Sequence, residues 1–86
     1  MVSKYANKMD QYRSEADAIV SENGQYVKDV INRLLELDAR IYCYMGIDTS
    51  KTERNEAKLT SRYIYRLIKQ YDHEKGERLL NDYLKD

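Results

Sequence analysis

Not one of the 86 residues is proline. Proline removes a backbone donor and clashes with the preceding helical turn, so its absence leaves no position where a helix must stop or kink. Glycine is nearly as scarce, with three. A chain this poor in breakers is expected to be helical throughout, with its turns carried by those glycines and by capping side chains.

Apolar spacing divides it into four helices. The first is predicted from about Ser3 to about Glu22, where Tyr5, Met9, Tyr12, Ala16 and Ile19 alternate spacings of four and three. That narrow seam suits a helix laid against a bundle or a self-association strand. The second is predicted from about Gln25 to Met45. Val27, Val30, Ile31, Leu34, Leu37, Ile41 and Met45 cover one face, widened by Leu35 and Tyr42 on one side and by Tyr26 and Tyr44 on the other. At ~100° per residue the apolar arc spans about half the helix, so this helix is expected to be the hub. The third, Lys51 to Tyr71, has Ala57, Tyr63, Ile64, Leu67, Ile68 and Tyr71 as its predicted core stripe. The fourth, His73 to Leu84, offers Leu79, Leu80, Tyr83 and Leu84.

The turn chemistry agrees. Asn23-Gly24 and Gly46 read as helix stops, and Ile47 to Ser50 as loop. Ser50 with Glu53 has the spacing of a capping box. Asp72 is placed to cap the last helix, in which Gly76 reads as a weak spot. The expectation is one all-α domain over residues 1–86: a small antiparallel helical bundle of three main helices plus a short C-terminal helix.

Charge narrows the function classes. Lys and Arg number 15, as do Asp and Glu, so the net charge is zero and gives no global vote for nucleic acid or membrane. The first eight residues hold no apolar h-region, and the longest apolar run, Ile41 to Met45, falls far short of the ~18 residues of a membrane span. The single cysteine, Cys43, excludes an internal disulfide framework and fits a reducing compartment, so a cytoplasmic location is expected. The composition also suits a small phage or mobile-element product. A chain of this size buries only about 60–65% of its unfolded surface, and association is a common source of added stability.

Distribution says more than the total. Between Lys51 and Lys69 there are six basic residues (Lys51, Arg54, Lys58, Arg62, Arg66, Lys69) and two acids (Glu53, Glu56), a local balance of six minus two, or +4. Arg54, Lys58, Arg62 and Arg66 recur every four residues and so form one ridge along the helix. Lys51 and Lys69 project onto the same side, and Tyr65 is expected within the ridge, away from the core stripe. Such a row suits an acidic protein surface, for which arginine and tyrosine are the usual anchors. It also suits a phosphate backbone, with Tyr65 stacking on a base. A third reading is a solvated face whose cations pair with acids of neighbouring helices.

Catalytic chemistry finds no constellation. His73 and Cys43 stand alone on different predicted helices, no metal-ligand spacing occurs, and the three glycines are too scattered for a phosphate loop. Cys43 projects to the rim of the second helix as a semi-buried thiol. Catalytic residues, metal and cofactor are all expected to be absent. A helix-turn-helix around Gly46 also fails, because the positions that should pack after the turn are the polar Thr52 and Asn55.

Nine tyrosines replace the missing phenylalanine and tryptophan. Tyr5, Tyr12, Tyr63, Tyr71 and Tyr83 lie on apolar stripes and are expected at the core edge, while Tyr26, Tyr42 and Tyr44 flank the second helix. The function expected from sequence is a non-catalytic interaction module (adaptor, inhibitor or assembly subunit). It binds an acidic protein partner through Arg54, Lys58, Arg62, Tyr65, Arg66 and Lys69. The alternatives are nucleic-acid binding by the same ridge, or a homo-oligomeric assembly protein of a phage or mobile element using the first helix's seam.

Overall fold

The computed structural model describes residues 4–23, 26–45 and 50–83. These form four α-helices and no strand: α1 Lys4–Asn23, α2 Val27–Met45, α3 Lys51–Tyr71 and α4 His73–Tyr83. Each lies within about two residues of its sequence-predicted bounds. The expectations for Gly24, Gly46, residues 47–49 and Leu84 lie outside the described residues, as do those for the side chains of Tyr5, Met45 and Tyr83.

The local chemistry at the α3 ends matches its sequence. The Ser50 hydroxyl accepts from the Glu53 backbone N–H at 3.2 Å, and the Glu53 carboxylate accepts from the Ser50 N–H at 3.4 Å, completing the capping box. Asp72 serves two helices. Its backbone N–H closes α3 on the Ile68 carbonyl at 2.8 Å, while its carboxylate accepts from the Lys75 N–H at 3.1 Å to start α4.

The core is formed by Met9, Tyr12 and Ala16 of α1, Val30, Ile31, Leu34, Leu37 and Ile41 of α2, and Ala57, Ile64, Tyr65 and Ile68 of α3. The α1 seam from Met9 to Ala16 is therefore covered by the chain itself, with Ile19 partly buried beside it. Val27, expected on the buried face of α2, is exposed at the helix's first position. Cys43 is exposed rather than semi-buried.

Two further expectations are corrected. The hub is α3, not α2: α3 packs on α1, α2 and α4, whereas α2 packs on α1 and α3. Gly76 is a point of closest approach, not a weak spot. A Cβ there would lie 2.4 Å from both the Cα and the Cβ of Lys69 and 2.6 Å from its backbone nitrogen. The missing side chain lets α4 lie directly on the α3 backbone.

Candidate functional site

The exposed side of α3 carries the cations. Arg54, Lys58, Arg62 and Arg66 are all exposed, as the four-residue spacing predicts. Arg54, Arg62 and Arg66 form no ion pair among the described residues. The two acids of the predicted basic segment are engaged elsewhere: Glu53 in the capping box, Glu56 with Arg13 of α1 at 3.8 Å. Neither interrupts the cationic face.

Lys69 departs from the expectation. It is half-buried, and its ammonium donates to the Glu77 carboxylate of α4 at 3.0 Å. That bond, then the Lys69 charge itself, holds the Glu77 carboxyl below its ordinary value. Lys69 thus joins helices, the role foreseen for the whole row in the solvated-face reading.

Tyr65 is the larger correction. It is 1% exposed and belongs to the core, not to the ridge. Its hydroxyl donates to Asp38 Oδ2 of α2 at 2.5 Å, and Ser61 Oγ donates to Asp38 Oδ1 at 2.6 Å. The buried positions of α3 are Ala57, Thr60, Ser61, Ile64, Tyr65 and Ile68. At ~100° per residue their mean direction lies roughly 50° from that of the apolar stripe, turned toward the ridge. The cause is Asp38, a carboxylate 7% exposed that draws two hydroxyls inward. Thr60 satisfies itself on the Glu56 carbonyl at 2.9 Å.

The apolar side chain that does stand among the cations is Leu59, 51% exposed. It lies three and seven residues before Arg62 and Arg66, hence on their side of α3. Sequence reading missed it because it counted Leu59 neither in the core stripe nor in the ridge. The signal available was its place at the margin of the apolar stripe, one turn before Tyr63 and one turn before Arg62.

Elsewhere, Tyr12 packs edge-on to Tyr44 with ring centroids 6.3 Å apart, and Lys8 and Arg40 stand over the Tyr12 ring at 5.1 and 5.8 Å. Arg40 also bonds Glu15 at 2.8 Å, tying α2 to α1. Tyr26, Tyr42 and Tyr44, which flank the α2 face, are exposed. No group of three or more His, Cys, Asp or Glu among the described residues is placed to hold a metal, and no helix among them is long and apolar enough to cross a membrane.

Comparison with known protein families, with curated proteins and with solved structures gives no match.

Proposed function

We propose that the chain is a small, non-catalytic interaction module that docks on an acidic partner protein through the exposed face of α3. The observation that carries this reading is the combination on one face: Arg62 and Arg66 without an ion pair among the described residues, and Leu59 half out of the fold beside them. Unpaired arginines around an apolar anchor fit the anatomy of a protein interface, where a desolvated centre is ringed by polar contacts. Arg54 and Lys58 extend the face toward the N-terminus of α3. Burial of Tyr65 removes the stacking ring from the nucleic-acid reading and leaves it only phosphate contacts.

The helix order supporting this face is read as up-down-up. Arg13 and Asp17 of α1 meet Glu56 and Tyr63 of α3 in the same sequence direction, whereas Tyr12 and Glu15 meet Tyr44 and Arg40 of α2 in the opposite one. Antiparallel neighbours of this kind follow from short connections.

The test is Arg62→Glu combined with Arg66→Glu, assayed by recovery of a protein partner from host extract and by retention on DNA and RNA. The expected result is an unchanged thermal melt with loss of the captured protein and no nucleic-acid retention in either form. Partner capture that survives the double reversal defeats the reading. Nucleic-acid retention by the unmodified chain, lost steeply with salt and abolished by the reversal, replaces it with the alternative.

A further inference from the structure

Asp38 is more deeply buried than any other described acid, and its setting is incomplete. Each carboxylate oxygen accepts one hydroxyl, from Ser61 on Oδ1 and from Tyr65 on Oδ2. An ionised carboxylate has about four acceptor sites, so roughly half remain unused. No lysine, arginine or histidine among the described residues forms an ion pair with it. Two neutral hydroxyls offset only part of the cost of holding a charge away from water, and buried charges are normally paired.

The carboxylate is not sealed off. Together with Leu35, Ala39, Tyr42, Tyr65 and Leu79 it lines an open groove of about 290 Å³ between α2 and α4. Three of these residues are aliphatic and two are tyrosines, one of which, Tyr42, is 51% exposed at the rim. A single anionic group at the floor of an apolar, aromatic-edged groove has the chemistry of a site for an organic cation, since rings and carboxylate both attract positive charge. A hard metal ion is a poor match, because it requires several oxygen ligands and, besides Asp38, the lining side chains offer only two phenol hydroxyls, that of Tyr65 already bonded to Asp38. The volume lies at the small end for ligand pockets and suits one short chain.

We propose that this groove binds a single alkylammonium or alkylguanidinium group, its charge on Asp38 and its methylenes along Leu35, Ala39 and Leu79. Its lining shares no residue with the cationic face of α3, and it selects the opposite charge.

Titration of the intact chain with n-butylammonium, n-propylguanidinium and neutral n-butanol, followed by amide NMR, tests this. Saturable shifts are expected around Leu35, Ala39 and Leu79, with the cations binding about tenfold or more tightly than the alcohol, as a charge-assisted hydrogen bond provides. Butanol binding as well as the cations, or no saturation by any probe, overturns the proposal. Asp38→Asn keeps the side-chain shape and is expected to reduce the preference to about twofold or less, because the cation loses its counter-charge; a preference that persists overturns it. Should that variant fail to fold, Tyr42→Ala at the exposed rim is expected to weaken the cations more than the alcohol, and equal weakening or none overturns the site. Nα-acetyl-lysine amide identifies the source within the proposal: binding marks a partner's lysine side chain, and its exclusion while butylammonium binds marks a free amine.

Discussion

Asp38, Ser61 and Tyr65 show how much a single buried acid decides in this chain. The Tyr65 hydroxyl supplies one of the two donors to a carboxylate held inside the fold. Tyr65→Phe preserves the ring and removes that donor, so it should destabilise the fold by about 1–3 kcal/mol in urea denaturation. An exposed ridge tyrosine would change stability by no more than about 0.5 kcal/mol on the same substitution. Leu59→Ser should do the reverse, leaving the denaturation midpoint in place while weakening capture of the protein partner. The basic ridge was legible in the sequence because its period of four needs no tertiary information. Tyr65 was not, because an apolar projection cannot register hydroxyls drawn inward by an acid on another helix. A signal did exist: Asp38 is flanked at four and three residues on either side by Leu34, Leu35, Ile41 and Tyr42, the neighbourhood of a core position.

At the level of elements, helix ends were readable and helix contacts were not. The Ser50–Glu53 box and the Asp72 cap depend on residues within one turn, so their spacing sufficed. Ser50→Ala should cost about 1 kcal/mol, measured by thermal or urea unfolding. Gly76 misled because helix propensity ranks glycine below alanine by about 1 kcal/mol, and nothing in the local sequence shows what lies against it. With the Lys69 backbone 2.4 Å from the position a Cβ would take, Gly76→Ala must push α4 away from α3. Overpacking of this kind costs about 1–3 kcal/mol, enough to outweigh the propensity gain. Net destabilisation with faster amide exchange in α4 is the expected result; a stabilised variant would show that α4 does not rest on α3 there. The hub was misassigned for the same reason: the wide apolar arc of α2 was visible, whereas α3 gains its third neighbour through glycine and a lysine–glutamate pair.

For the molecule as a whole, Tyr12 and Tyr63, which help join α1 to its neighbours, set how the fold responds to high pH. Burial, chiefly, raises the pKa of Tyr12, which lies between α1 and α2 under Arg40. The hydrogen bond to Asp17 of α1, chiefly, raises that of Tyr63, and loss of its proton would break that bond and leave two anions facing each other. Both folded-state values thus lie above the ordinary tyrosine value of 10.0. Below that value the two phenols are protonated in both states and their stabilisation is fully present. As pH rises through it the unfolded chain releases protons first, so stability falls with further alkalinity until the folded state ionises too. Glu77 acts in the other sense: its lowered pKa gives stability present above the ordinary value of 4.5 and lost as pH falls. Between these limits the urea midpoint should be nearly level, and it should fall as pH rises through about 10, with early loosening of α1. Tyr12→Phe with Tyr63→Phe should make that alkaline limb shallower, since neither position then has a proton to lose. An equally steep limb in the double variant would assign the alkaline transition to other groups, and would leave the attachment of α1 to its apolar seam and to the Arg40–Glu15 and Arg13–Glu56 pairs.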